Sequence, residues 1–284
     1  MNRLFLPILV VLSCCSAAEA QFSSSSLRNF ENKLLYQPRT DAQLWFPPPA
    51  QFGVQDVWLR AADGETIHAW WFPHPQSTGA LLLCHGNANN LSCWTGRVLN
   101  LQRALGQSVL IFDFPGYGKS SGKPSESGCY AAADAAFDWL IQDRKVPGEK
   151  IILYGESLGG GVATEIAVRR SHRALVLVRT FTCVPDIVRK SVWTSAAAPL
   201  VHNQFDNLAR IRNCKSPIFI AHGDKDTLIP LAQAVKLYQA APQPKRGHVL
   251  KNCGHVDDLP ADFYQALVEF LNEPRAERKD PVSR

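Results

Sequence analysis

Five short runs of continuous apolar residues punctuate the middle of the chain: Ala80–Cys84, Val109–Phe112, Ile151–Tyr154, Leu175–Val178 and Ile218–Ala221. Runs this short, without polar alternation, predict strands covered on both faces, as in a parallel sheet. Helical stretches separate or follow them at Leu91–Leu105, Ser125–Gln142, Leu158–Arg170, Leu231–Ala241 and Ala261–Leu271. Upstream, Val54–Arg60 and Thr66–Phe72 read as strands around Asp63-Gly64, a hairpin signal. This alternation predicts a doubly wound, mostly parallel α/β sheet with an N-terminal antiparallel hairpin. Such sheets collect their sites in the loops at the C-terminal ends of the strands.

Composition changes this picture little. The 284 residues are 46% apolar and 19% charged, a globular balance that excludes a disordered chain. Thirty basic against 25 acidic side chains leave a net charge of +5. That excess is too mild and too evenly spread to point to nucleic acid. No apolar stretch has the length of about 20 residues that a membrane span needs.

The first residues carry a different message. Met1-Asn2-Arg3 is a positive start, Leu4–Leu12 an apolar run, and Ala18-Glu19-Ala20 places small residues at a cleavage site. This is the plan of a secretory signal, and cleavage would leave Gln21 first. Val11-Leu12-Ser13-Cys14 offers the alternative of a lipid anchor on Cys14, although Leu12 stands where a small residue is usual. The expected organisation is therefore a signal over 1–20, an extended Ser- and Pro-rich arm over 21–52, one α/β domain over 53–272, and a charged tail over 273–284. Cys84, Cys93, Cys129, Cys183, Cys214 and Cys253 form no CxxC pair, which gives zinc chemistry no support. Export would permit disulfides, but a domain of this size does not need them.

The loops after the apolar runs hold the candidate chemistry. Gly155-Glu156-Ser157-Leu158-Gly159 follows one run directly and opens a helix. A sharp strand-to-helix turn exposes the Ser157 hydroxyl, and glycines two residues away on either side relieve its crowding. Serine alone is a poor nucleophile and needs a base and an orienting acid. Asn252-Cys253-Gly254-His255, between a strand pattern and the last helix, supplies the base. The acid comes from His222-Gly223-Asp224-Lys225-Asp226. Asp226 is favoured for lying deeper in the loop, Asp224 suits a turn cap, and Asp186 is a third candidate. His85-Gly86-Asn87 follows the first central run; the N–H groups of Asn87 and Leu158 would be the two oxyanion donors. Asp113–Ser120, with Gly116 and Gly118, suits a tight turn beneath the site.

This ordered set resembles a serine hydrolase of the α/β-hydrolase superfamily. The chain is similar to its short-capped group, often labelled serine-aminopeptidase-like or α/β-hydrolase domain-containing, some eukaryotic members of which are acyl-protein thioesterases. The resemblance implies an α/β-hydrolase fold with a minimal cap. It also implies Ser157 as nucleophile, His255 as base, Asp226 as acid, and the Asn87 and Leu158 amides as oxyanion donors. The expected reaction is hydrolysis of a carboxylic ester or thioester through an acyl-enzyme, on a small-molecule or lipid-like acyl substrate, with no metal or cofactor. A peptidase using the same triad and a non-catalytic binding module on this fold remain the alternatives. The short stretch Arg179–Cys214 predicts a crossover helix near Val184–Trp193, a small cap and a fairly open site. Arg179-Thr180-Phe181-Thr182-Cys183 replaces the group's usual Ser-Pro-Phe-Thr-Ser; Arg179 is expected in a surface salt bridge or binding a carboxylate.

Overall fold

The computed structural model describes residues 31–33, 35–189 and 201–273. The signal segment, Cys14, the start of the arm and nearly all of the charged tail lie outside the described residues, as does 190–200.

Among the described residues the main sheet has eight strands: β1 Gln55–Arg60, β2 Thr66–Phe72, β3 Ala80–Cys84, β4 Ser108–Phe112, β5 Ile151–Glu156, β6 Ala174–Val178, β7 Ile218–Gly223 and β8 Lys245–Leu250. Their order is β8-β7-β6-β5-β3-β4-β2-β1. The hairpin β1–β2 and the pair β2–β4 are antiparallel; the rest are parallel. Gly64 closes the hairpin with φ +90°, a conformation glycine adopts without a Cβ clash.

Every residue of β3 to β7 is buried, as continuous apolar runs require of strands covered on both faces. Successive side chains alternate between two cores. Leu82 and Leu153 meet α2 (Glu126–Gln142) and α3 (Leu158–Arg169) through Ala133, Phe137 and Ile166. Leu81, Leu83 and Tyr154 meet α1 (Thr95–Leu105) and the C-terminal helix (Ala261–Asn272) through Leu101, Phe263 and Phe270. Helix ends carry the expected chemistry: the Ser125 hydroxyl caps α2 through the Gly128 N–H at 3.1 Å, and Gly106 ends α1 at φ +59°.

Three expectations need correction. The helix expected over Leu91–Leu105 begins as a 3₁₀ turn, Leu91–Trp94, because the Asn90 side chain caps Ser92 and Asp113 takes the Leu91 N–H. The crossover helix is α4, Val184–Val188; Trp193 lies outside the described residues. A second short helix, α5 (Asn207–Ile211), precedes β7, and α6 (Leu231–Ala240) and α7 (Ala261–Asn272) follow in order. The described part of the arm is not simply extended: residues 31–33 are helical, and Gln37–Pro38 forms a parallel pair with Ala88–Asn89. All six described cysteines are free thiols, and Cys84, Cys129, Cys214 and Cys253 are buried. Among the described residues no helix is long and apolar enough to cross a membrane.

Candidate active site

The sheet register puts the chemistry-bearing loops side by side. Cys84 is opposite Gly155, Glu156 opposite Val178, Val178 opposite Ala221, and Gly223 opposite Leu250. The chain turns away from β3 to β4 on one side and resumes at β5 on the other. The loops after β3 and β5 therefore emerge at the point where the strand order reverses, where α/β sheets form their crevice.

Ser157 is at the tip of the β5–α3 turn with φ +54°, strained for a residue with a Cβ. The surroundings hold it there. Its N–H donates to Val178 O at 3.0 Å, and its carbonyl accepts from the Thr180 hydroxyl at 2.9 Å. A Cβ at Gly155 would overlap Gly159 O and one at Gly159 would overlap Cys84 O, so neither position admits a larger residue without backbone movement.

The Ser157 Oγ lies 3.0 Å from His255 Nε2, and His255 Nδ1 lies 2.7 Å from Asp226 Oδ2. Asp226 is buried, and its other oxygen, Oδ1, accepts the Leu228 and Ile229 N–H groups at 2.9 and 2.8 Å. Burial pushes this carboxyl up. The hydrogen bonds from His222 and His255, the charge of His255 and the Ile229 N–H outweigh that and hold it well below the usual carboxylate range. The other two candidate acids lie elsewhere. Asp224 is exposed, and Asp186 is engaged by the Thr182 hydroxyl at 2.7 Å and Arg189 at 2.9 Å.

The loop after β3 faces this pair. A Cβ at Gly86 would stand 3.7 Å from the Ser157 Cβ. Asn87 donates its side chain to Leu35 O at 2.6 Å, and its carbonyl accepts from the Gln37 N–H and the Tyr117 hydroxyl at 3.1 and 2.7 Å. None of these bonds uses the Asn87 N–H. Leu158 is the first residue of α3, so its N–H has no partner within the helix. Asp113–Ser120 supports this loop from below: Asp113 takes the Leu91 N–H at 2.8 Å, and its Oδ1 is 3.3 Å from the ring of buried His85.

Arg179 is not in a surface salt bridge. It is 1% exposed, and its Nη1 lies 3.5 Å from Glu156 Oε1 and 3.2 Å from His255 O. Glu156 also faces Arg97 Nε at 3.4 Å. The cause is position: Arg179 directly follows β6, where the backbone passes between the serine turn and the histidine loop. Sequence reasoning also missed His222, whose Nε2 is 3.3 Å from Asp226 Oδ2 and 2.8 Å from Ile229 O. Its four-residue spacing from Asp226 in a loop was the available signal.

A family model for the α/β hydrolase fold matches residues 79–194. The uncharacterised protein Rv2307c of Mycobacterium tuberculosis is 32% identical over 277 residues, 94% of this chain and 95% of that protein. The chain belongs to the α/β-hydrolase family.

Other relatives of this α/β hydrolase are protein bem46 of Schizosaccharomyces pombe, 30% identical over 80% of each chain, and the α/β hydrolase domain-containing protein 17C of Mus musculus. The latter is 30% identical over 70% of this chain and 61% of that protein. A solved esterase, Pf2001 of Pyrococcus furiosus, superposes with a TM-score of 0.69 over 84% of this chain and 97% of that one. At 19% identity it shares the fold. With serine, imidazole and carboxylate in one hydrogen-bonded line, this α/β hydrolase is a serine hydrolase.

Proposed function

We propose that this serine hydrolase cleaves carboxylic esters or thioesters of a small-molecule or lipid-like acyl group, with Ser157 as nucleophile. The observation that carries the reading is the unbroken line from Asp226 Oδ2 through His255 to Ser157 Oγ, with steps of 2.7 and 3.0 Å. His255 Nε2 takes the hydroxyl proton as Ser157 attacks the acyl carbonyl. Asp226 holds the ring with its proton on Nδ1 and stabilises the imidazolium without taking that proton. The Asn87 and Leu158 N–H groups receive the oxyanion. His255 returns the proton to the leaving group, and an acyl-serine remains. Water then attacks the acyl carbonyl while giving a proton to His255; the acyl–Oγ bond breaks, His255 passes that proton to the Ser157 Oγ, and the acid leaves with the triad restored. Ser157 and His255 are half-buried rather than sealed, which suits a substrate entering from a fairly open face.

The alternatives fare less well. An amide substrate needs, besides the triad, a pocket that recognises the amine side of the bond. A binding module would have no need for a strained serine turn aligned with a histidine and a buried carboxylate. The likeness to α/β hydrolase domain-containing protein 17C supports placing the chain in the short-capped group that shares that label. The test is direct. A fluorophosphonate probe should label the folded protein, and p-nitrophenyl esters should turn over well above aminoacyl anilides. Anilide turnover with inert esters transfers the reading to a peptidase; absence of labelling with no turnover removes it.

The same reading takes residues 1–20 as an export signal, on the order of Met1–Arg3, Leu4–Leu12 and Ala18–Ala20. It accordingly takes 21–52 as an arm preceding the hydrolase domain and 273–284 as a tail. The intact mass of the mature protein should correspond to a chain starting at Gln21; a mass carrying acyl chains on Cys14 identifies the lipid anchor instead.

A further inference from the structure

The loop that carries Asn87 is a short connection between β3 and a 3₁₀ turn, with Asn89 at φ +68°. Within it Ala88–Asn89 is a two-residue strand paired with the arm. Gln37 N–H donates to Asn87 O at 3.1 Å and Arg39 N–H to Asn89 O at 3.1 Å. In return Asn87 Nδ2 donates to Leu35 O at 2.6 Å, and Asn90 Nδ2 donates to Arg39 O at 3.0 Å and Leu44 O at 2.7 Å. The arm thus adds a two-residue parallel strand, Gln37 opposite Ala88 and Pro38 opposite Asn89. It is itself pinned. Gly118 N–H donates to Arg39 O at 3.0 Å, and the buried Tyr36 hydroxyl donates to Asn203 Oδ1 at 2.7 Å.

The consequence follows from peptide geometry. The Asn87 N–H shares a rigid plane with the Gly86 carbonyl, which the His85 ring holds through Nδ1 at 2.6 Å. On its other side, the Asn87 carbonyl is gripped twice, by the arm's Gln37 N–H and by the Tyr117 hydroxyl at 2.7 Å. Both flanking carbonyls are thus held, and one of the three bonds that hold them comes from the arm.

We infer that the arm segment 35–44 is a positioning element of the reaction: by pairing with residues 87–90 it aims the Asn87 N–H at the oxyanion. The inference rests on the serine-hydrolase reading above and adds to it a requirement for residues far upstream of the triad. A whole oxyanion donor is worth about 10²- to 10³-fold in kcat. Loosening one without removing it should cost about 10-fold, since small displacements of catalytic groups cost rate steeply.

Two variants in the full chain test this from opposite sides. Gln37→Pro deletes the N–H that grips Asn87 O while changing an exposed side chain. Tyr117→Phe deletes the other grip and leaves the backbone untouched. Each is expected to lower kcat for a p-nitrophenyl ester about 10-fold with KM changed less than about 2-fold. The inhibition constant of a trifluoromethyl ketone, whose adduct places an oxyanion in the hole, should rise by the same factor. Circular dichroism and the thermal midpoint report the folded fraction. If kcat per folded molecule and ketone affinity match the wild type while only the midpoint falls, the arm is a stability element and the inference is wrong. Should Gln37→Pro not fold, Asn87→Ala, which deletes the side-chain bond to Leu35 O and keeps the backbone N–H, takes its place with the same expected losses. Wild-type protein that neither labels with fluorophosphonate nor cleaves esters removes the hydrolase reading and this inference with it. An active wild type with equally active variants removes the inference only.

Discussion

Replacing Ser157 with alanine is expected to lower kcat for an activated ester by about 10⁶-fold and to abolish fluorophosphonate labelling. The proton path ends at the Ser157 Oγ, 3.0 Å from His255 Nε2, and among the described residues no other hydroxyl is hydrogen-bonded to that nitrogen. What remains is catalysis by the oxyanion donors and by binding, about 10³- to 10⁴-fold over water. Stability should barely change. The alanine keeps the Cβ, the N–H bond to Val178 and the carbonyl bond to Thr180, and loses one half-buried hydrogen bond. Such a bond contributes about 1 kcal/mol. Initial rates on purified variant, together with its thermal midpoint, check both halves. A folded Ser157→Ala protein that retains ester turnover would transfer the nucleophile to another group and undo the mechanism.

The second large effect comes from Asp226→Asn, expected to lower kcat about 10⁴-fold. The structure says which way the amide will face. Oδ1 accepts the Leu228 and Ile229 N–H groups, so the amide must keep its oxygen there. Its NH₂ then takes the place of Oδ2 and points donors at His255 Nδ1 and His222 Nε2. His255 must answer with a lone pair on Nδ1, which moves its proton to Nε2. That ring nitrogen can no longer accept the serine proton. Because the amide has no charge to offer the imidazolium, raising the substrate concentration should not restore the rate.

Asp226 also links the site to pH. Its carboxyl is held below the ordinary carboxylate range in the folded chain. A depressed folded value means that the ionised group stabilises the fold at pH above the unfolded value of about 3.9. That contribution is lost as pH falls through the folded value. The gap in thermal midpoint between wild type and Asp226→Asn should therefore be full near neutrality and narrow as the pH falls below about 4. A gap constant with pH would mean the carboxyl is not held as the structure shows.

Much of this hydrolase was legible along the chain. Ile151–Tyr154 ran into Gly155 and Ser157 within a few residues, so strand, turn and nucleophile could be read together as one local event. The same holds for Asp63-Gly64 and its hairpin, and for Ser125 at the start of α2. Each depends on neighbours a few positions apart, where periodicity, capping and glycine placement carry the information. Asp226 and His255 were legible as types in the right loops, since a strand end followed by a short polar loop is where such residues reach a shared crevice.

Other parts were set by partners distant in sequence. Arg179 looked like a surface cation because nothing adjacent in sequence announced Glu156 or the His255 carbonyl, brought to it by strand register. Asn87 was read as an oxyanion donor from its place after the first central strand, but the Gln37 N–H that grips its carbonyl comes from the far side of three strands. His222 gave only its spacing from Asp226; that both histidines meet one oxygen depends on how the loop folds back over β7.

The division has a physical cause. The sequence by itself determined the fold class, the serine turn and the loops that carry the base and the candidate acids, because each rests on short-range geometry or on the fixed place of strand-end loops. Only the tertiary structure decided which carboxylate oxygen faces which ring, that a buried arginine ties the histidine loop, and that residues 37–39 pair with the loop carrying Asn87. Those outcomes depend on hydrogen bonds between segments remote in the chain, and their partners are chosen by packing.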